Sequence, residues 1–530
     1  MADGRLRIGL DVGGTNTDAG VVDESGRVVS WFKSSTTPNV FDGIRTALAA
    51  VLAEVDRGAV SQVMLGTTHP VNAIIRRAGL AKVGILRIAA PATLSISPLA
   101  PWPKDLAAIV RGPAWIIGGG HEYEGTEITA LDEDAVARFA RECRDVVEAI
   151  AVTGVTSPAN PDHELRAREI IADILGADYP VTLGHEVGGL GLLERENSAV
   201  LNGALQHVGR QIVAGLASAL REENLDADMY LTQNDGTLLA AHEAARRPIM
   251  TIGSGPTNSM RGAAFLSGLA DAIVVDVGGT STDVGLLVDG FPRESALAVE
   301  IGGVRTNYRM PDLISVGLGG GSILAPAGAG GPAAGPDSVG HLIGERALVF
   351  GGDTATLSDV SVVAGRAEFG DRATAAAVLP RRRVSSVLAW VDDRMQYLAD
   401  RIKAAHSDLP LVAVGGGAHL IPERLAGVSQ VIRHEYGHVA NAIGAAISEA
   451  SGSVDRSMRY DDSSREECLA QASAAAVDAA IYAGADPTRI RITSITEIPM
   501  AYMPGNCARV QVRAVGPLLS RPPRTAAAGD

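Results

Sequence analysis

The sequence predicts an α/β protein made of two related halves that face one another across a cleft. Three observations carry that prediction. The run DVGGTNTD at residues 11–18 returns as DVGGTSTD at 276–283, differing at one position in eight. Each copy is preceded by an apolar segment (6–10, 272–275) and followed by another (19–22, 284–288), the pattern of a β-hairpin with a glycine-bearing turn. Finally, 530 residues are too many for one hydrophobic core.

The turns have a chemistry of their own. Gly13, Gly14, Gly278 and Gly279 lack the side chains that would hold a phosphate away from backbone N–H groups. Thr15, Thr17, Thr280 and Thr282 add hydroxyl donors, and Asp11 and Asp276 can hold Mg²⁺ directly or through water. One such hairpin is an ordinary turn; two facing each other suggest a nucleotide clamp.

Composition narrows the class. The chain is 46% hydrophobic and 20% charged, as in a well-packed globule, and its net charge of −15 disfavours nucleic acid and anionic membranes as partners. Phosphate must therefore be neutralised locally. Cys143, Cys468 and Cys507 form no CxxC pair, which argues for a reducing compartment and against a disulfide framework. With no signal-peptide pattern and no stretch of membrane-spanning length, a cytoplasmic location is expected.

Along the chain, residues 1–225 read as a first lobe, with an α/β insertion at about 80–190. Strands are expected near 28–32 and 63–65, with a helix between them. GTTHPVNAII at 66–75 is a strand-to-helix corner carrying Thr67, Thr68, His69 and Asn72, either ligand-facing or a simple N-cap. In the insertion, strands at 83–88, 115–117, 151–155 and 181–183 alternate with helices at 132–150 and 163–175. His121 with Glu122 and Glu124, and His185 with Glu186, follow strands; they can bind polar substrate groups or a second divalent metal, or sit on solvated loops. Residues 194–220 form one long helix whose first turn (Glu194, Arg195, Glu196, Asn197) reads as too polar for a buried start. Residues 226–450 form the second lobe. There PIMTIGSGPTNSMRGA at 248–263 is a tight turn entering a helix, able to bind an anion or merely to connect. ISVGLGGGS at 314–322 and the strand 411–414 entering GGGAHL are further glycine turns, 325–337 is a loop, 384–405 is helical, and NAIGAAISEA at 441–450 is a small-residue helix. Residues 453–520 read as an appended α+β unit, with a flexible tail at 521–530.

His434-Glu435-Tyr436-Gly437-His438 satisfies HExxH, but zinc-peptidase chemistry needs both histidines on one helix. Gly437 inside the motif and a strand before it place the helix start near His438, separating the imidazoles. No GxSxG elbow or Cys/His pair supports a nucleophilic triad.

The order of hairpin, connecting helix at 194–220, second hairpin, strand–GGG turn and small-residue helix resembles the actin/Hsp70/sugar-kinase superfamily, whose two ribonuclease-H-like domains close on ATP. Within it, GTTHPVNAIIRRAG, HEVGGLGLLERENSAVLNGAL, GSGPTNSMRGA, DVGGTSTDVGLL, LISVGLGGGSI and TLSDVSVVAGR are similar to the hydantoinase/oxoprolinase A family. The resemblance covers about residues 5–450. It implies ATP- and Mg²⁺-dependent opening of a cyclic amide or imide such as a hydantoin or 5-oxoproline, or else a small-molecule kinase or acetone-carboxylase-type activating ATPase. Carried over, it makes Asp11, Asp276 and Asp283 catalytic, with Asp11 and Asp276 at the metal. Thr15, Thr17, Thr280 and Thr282, with Gly13, Gly14, Asn16, Gly278, Gly279 and Ser281, would cradle phosphates. Gly319, Gly320, Gly415, Gly416, Gly417 and Asn441 would complete the nucleotide site. Thr67, Thr68, His69, Asn72, His121, His185, Glu194, Arg195 and Asn197 would face the substrate. The family's TTxATN pattern is here Thr67-Thr68-His69-Pro70-Val71-Asn72. Family A subunits often work with a B subunit or segment, for which 530 residues leave no room; the chain would act either alone or with a separate B-type partner, and a homo-oligomer is expected.

Overall fold

Two sheets of matching strand order carry the fold. The structure, a computed structural model, describes residues 5–36, 40–295, 298–326, 333–403, 408–501 and 505–519. It opens with β1 (Leu6–Val12), β2 (Asn16–Asp23), β3 (Val28–Ser35) and β4 (Val60–Thr67). β1 pairs antiparallel with β2, and β2 with β3, while β4 runs parallel to β1. The insertion makes its own parallel sheet from β5 (Val83–Ala90), β6 (Arg111–Gly118), β7 (Ala149–Gly154) and β8 (Val181–Leu183), in the order β6-β5-β7-β8. The chain then returns as β9 (Asp228–Thr232), parallel to β4, and β10 (Leu238–Ala240).

The second hairpin is β11 (Ala272–Val277) and β12 (Thr282–Val288). The strand Leu313–Val316 pairs antiparallel with β12; Leu411–Val414 runs parallel to β11, and Val431–Arg433 parallel to Leu411–Val414. The order β3-β2-β1-β4-β9 is thus repeated strand for strand. The sequence repeat marks an architectural one.

Two helices carry the chain between the sheets: Ser254–Ser267 outward and Ala440–Ile447 back. They pack against each other so closely that a Cβ on Gly262 would overlap the carbonyl of Ala440, and one on Gly444 the carbonyl of Asn258. That approach is why the return helix is built of small residues. Ala440–Ile447 also covers one face of β1 and β2, whose other face packs on the core of Ile44, Leu48 and Val51. β1 is consequently buried on both sides, and it reads as a nearly continuous apolar run rather than an alternating one.

Several elements depart from expectation. The helix expected at 132–150 ends at Cys143, because the β-branched run at 149–154 becomes the fully buried strand β7. The helix at 194–220 is two, Leu192–Ala204 and Gln206–Glu222, meeting at Leu205. Its polar start is buried: Arg195, Glu196, Asn197 and Ser198 are all 4% exposed or less. Residues 228–240 pair with the first sheet, past the expected boundary at 226. Ala450–Arg459, Cys507–Gly516 and Arg491–Pro499 extend that same nine-stranded sheet instead of standing apart. Ala450–Arg459 had no strand signal, its Gly/Ser and charged residues hiding any alternation; the alanines of the helix Arg465–Tyr482 cover it. The tail at 521–530, residues 404–405 of the helix expected at 384–405 and much of the loop at 325–337 lie outside the described residues. No helix among the described residues is long and apolar enough to cross a membrane.

Candidate active site

The two glycine turns meet. Gly13 donates its N–H to Asn16 O (3.0 Å) and Gly278 to Ser281 O (2.9 Å), so both turns close by the same bond. At their tips the Thr15 and Thr280 hydroxyl oxygens are 3.4 Å apart. Nothing lies within 4 Å of where a Cβ on Gly14 would sit. The remaining hydroxyls of the motif are spent differently. Strand alternation turns Thr17 and Thr282 into the buried side, where Thr282 Oγ1 donates to Leu318 O (2.5 Å) and Thr17 Oγ1 has no hydrogen-bond partner among the described residues. The glycines expected around the nucleotide mostly brace the second turn. Gly320 donates to Gly278 O (2.9 Å) and Gly417 to Val277 O (2.7 Å), while a Cβ on Gly319 would press on the Gly278–Thr280 backbone. Gly416 stays open, near Lys33.

Beneath the tips lie four carboxyls, brought together by register: Asp11 opposite Asp18, Asp276 opposite Asp283. Asp11 accepts from Asn258 Nδ2 at Oδ1 (3.2 Å) and from Asn441 Nδ2 at Oδ2 (2.9 Å). Asp18 is ion-paired with Lys33 Nζ (2.8 and 2.9 Å), which also donates to His438 O (2.9 Å). Asp276 accepts from Ser259 Oγ at Oδ2 (2.5 Å), and Asp283 from Ser315 Oγ. Burial raises all four, chiefly because a charge in the interior loses its hydration. Asp11 is pushed up to about 7, with Asp18 and Asp276 adding repulsion against the two asparagine donors. Asp283 is pushed up to about 6 by burial and then by Asp276, against its bond from Ser315.

Such a cluster has more negative charge than its protein partners neutralise. Neither Asp276 nor Asp283 accepts a hydrogen bond from a basic side chain among the described residues. Hard oxygen ligands short of positive charge fit Mg²⁺, which binds through one or two carboxylates, waters and substrate phosphates. Among the described residues no group of three His, Cys, Asp or Glu side chains is placed to hold a metal ion. Of the HExxH run, His434 caps a 3-10 turn (Glu435–Val439) and His438 lies within it, edge-on against Trp31 (4.5 Å), so the two imidazoles do not share an α-helix as zinc-peptidase chemistry needs.

Of the residues expected to face a substrate, the corner at β4 adjoins the first hairpin. Thr68 N donates to Val12 O (3.2 Å), Thr67 Oγ1 accepts from His69 N (3.1 Å), and Asn72 Nδ2 donates to Thr68 Oγ1 (3.3 Å). Burial first, then Arg76, lowers the His69 imidazole. Arg195 and Asn197 are instead structural in their contacts. Arg195 donates to the carbonyls of Gly154, Gly189 and Leu190, and Asn197 bonds Trp102 (2.7 Å) and Arg305 O (2.8 Å). Glu194, partly exposed, lies 3.9 Å from Arg305. In the insertion, the histidines pair differently from their sequence neighbours. His121 stacks on His163 (4.2 Å), and His185 Nδ1 lies 2.6 Å from the buried Glu164. Neither touches a hairpin.

Asp18, Lys33, Asn258 and Ser259 escaped sequence reasoning. Asp18 was visible as the motif's last residue, equivalent to Asp283. Lys33 was the one basic residue in an apolar strand. Asn258 and Ser259 gave no signal beyond their place in a glycine-rich stretch.

Paired hairpins on duplicated sheets, joined by two crossing helices, define a two-lobed ATPase fold of the actin/Hsp70/sugar-kinase type. The descriptions "Hydantoinase/oxoprolinase N-terminal region" and "Hydantoinase/oxoprolinase" match residues 7–175 and 195–404. The chain belongs to the hydantoinase/oxoprolinase A family. It is 29% identical over 392 residues to caprolactamase subunit alpha of Pseudomonas jessenii, covering 69% of this chain and 55% of that one. It is 28% identical to the acetophenone carboxylase gamma subunit of Aromatoleum aromaticum, covering 68% and 53%. The chain thus spans about half the length of the curated relatives it matches. Its fold is shared by ATP-dependent caprolactamase from Pseudomonas jessenii (TM-score 0.77, 21% identity, 98% of this chain and 90% of that one). It is shared as well by nucleotide-free acetone carboxylase (TM-score 0.66, 20% identity, 97% and 88%).

Proposed function

We propose that this chain is the ATP-using subunit of a cyclic-amide hydrolase acting on a hydantoin, 5-oxoproline or a related lactam. The observation that carries the reading is the meeting of the two turns, Thr15 to Thr280, above four buried carboxyls. A lactam carbonyl is a poor electrophile. Transfer of the γ-phosphoryl to its oxygen breaks the terminal P–O bond of ATP, releases ADP and leaves an imidate-like phosphate. Water then attacks the carbon, and the tetrahedral adduct expels the ring nitrogen, which takes up a proton, to leave an acyl phosphate; a second water attacks this and releases phosphate and the free carboxylate.

The roles follow the placements. The N–H groups of Gly14 and Gly279 and the Thr15 and Thr280 hydroxyls border the phosphates; Asp276 and Asp283 would hold Mg²⁺, with Asp11 beside it. A bound Mg²⁺ supplies charge neutralisation on the transferring group, and the rest is positioning. Thr68, His69 and Asn72 face the ring. Gly416 and Asn441 border the nucleoside. In this reading a B-type subunit is its partner.

A second reading, an activating ATPase subunit for ketone carboxylation, is favoured by the acetophenone and acetone carboxylase relatives. Incubating the protein with Mg-ATP and a panel of hydantoins, lactams and ketones separates the two. ADP release dependent on a cyclic amide supports the first, and release dependent on a ketone supports the second. No ATP binding by calorimetry would overturn both.

A further inference from the structure

Adjacent residues of one helix grip both motif aspartates. In Ser254–Ser267, Asn258 Nδ2 donates to Asp11 Oδ1 (3.2 Å) and to Thr232 Oγ1 (3.1 Å), and Ser259 Oγ donates to Asp276 Oδ2 (2.5 Å). Asp11 belongs to the first sheet and Asp276 to the second, and this helix is the segment that carries the chain from one to the other. The return helix joins in through Asn441, which holds the second oxygen of Asp11 (2.9 Å). The fit is made to measure: a Cβ on Gly66 would overlap Asn258 Nδ2, and a Cβ on Gly415 would overlap Asp276 Oδ1. Asn258, Asp11 and Asp276 thus sit in space that two glycines keep clear.

The grip is unequal. Asp11 has both oxygens held by amides from the two crossing helices. Among the described residues Asp276 has one hydrogen-bond donor, the Ser259 hydroxyl, on Oδ2, leaving Oδ1 in the clearing made by Gly415. From this geometry we infer that Ser259 and Asn258 are positioning residues of the ATP site: the crossing helix sets the rotamers of both aspartates together, Asp11 fully tied and Asp276 with Oδ1 presented. A movement of that helix relative to either sheet would then reach both carboxyls at once, which couples the separation of the lobes to the chemistry. The inference rests on the ATP-dependent reading above.

Ser259 is the residue to test, since losing one hydroxyl leaves the helix and its packing in place. Ser259→Ala is expected to lower kcat for ATP turnover by roughly 10–100-fold, the usual cost of removing a partner that orients a metal-binding or catalytic group. KM for ATP should stay within about threefold and the melting temperature near wild type, while Ser259→Thr, which keeps the hydroxyl, should restore most of kcat. Asn258→Asp is the companion variant: it retains shape but sets a carboxylate against Asp11, and should lose turnover together with Mg²⁺-dependent stabilisation. Unchanged kcat in Ser259→Ala, or equal loss in the Ala and Thr variants, would overturn the positioning role while leaving the ATPase reading intact. A wild-type protein that neither binds nor turns over Mg-ATP would bring down that reading first, and this inference with it.

Discussion

The two hairpins share seven residues in eight, the same turn-closing bond and the same cross-strand register, yet they are neutralised differently. On β3, opposite Asp18, stands Lys33; at the equivalent position of Leu313–Val316, opposite Asp283, stands Ser315. The first lobe therefore supplies a cation from the protein, and the second supplies a hydroxyl. The first hairpin is also tied at Asp11 by two amides, where Asp276 has one hydroxyl. The difference is one of countercharge: on the proposed reading the second hairpin, with no basic side chain on its aspartates among the described residues, is where a divalent cation would have most to gain.

The sharpest way to break that contrast is at the reacting end. Asp276→Asn should leave the fold and most ATP affinity intact and cut turnover by roughly 10²–10³-fold, the usual loss when a preorganised charge-stabilising group is removed. ADP release beside a thermal melt checks it. If Asp11→Asn costs turnover as much while Asp276→Asn costs little, the halves have been assigned in the wrong order.

Next is the countercharge itself. Lys33→Met strands the buried Asp18 carboxylate and should destabilise the protein by about 3–5 kcal/mol, the cost of breaking a buried ion pair from one side. Ser315→Ala, at the equivalent place, should cost only about 1 kcal/mol, a single hydrogen bond to a group already inclined to hold its proton. Denaturant melts at pH 7 would decide it; equal losses would mean the lobes do not differ as described.

The smallest effect is one of pH. A carboxyl raised on folding binds its proton more tightly in the folded state, so its favourable contribution is complete below the unfolded value near 3.8. That contribution is lost as pH rises through the folded value, about 6 for Asp283 and about 7 for Asp11. Metal-free protein should lose stability progressively from about pH 4 to about pH 7, by at most about 3 kcal/mol for the Asp283 share, which is spent by about pH 6. Asp283→Asn should flatten the slope, and Mg²⁺ should stabilise more at pH 8 than at pH 5. A melting temperature independent of pH would sink the account of this cluster.

The order of reading explains what was visible. The repeated motif, the strands around it, the insertion's parallel strands and the small-residue helix were all legible, because each is written in local periodicity or in a glycine run. Asp11, Asp276 and the Thr68–Asn72 corner were legible as well, being anchored to such runs. Arg195 and Asn197 misled because polarity next to a cleft and polarity consumed by buried partners look alike in one dimension. Lys33, Asn258 and Ser259 were hidden because their significance lies in what they touch 15 to 405 residues away.

By itself the sequence determined the duplicated α/β plan, the turn chemistry and the family, since hydrophobic period and turn glycines act on the chain locally. Only the tertiary structure decided that Lys33 answers Asp18 while Ser315 answers Asp283, that the last strands rejoin the first sheet, and that one crossing helix holds both aspartates. Those facts depend on which surfaces are buried together, and burial is a property of the packed molecule.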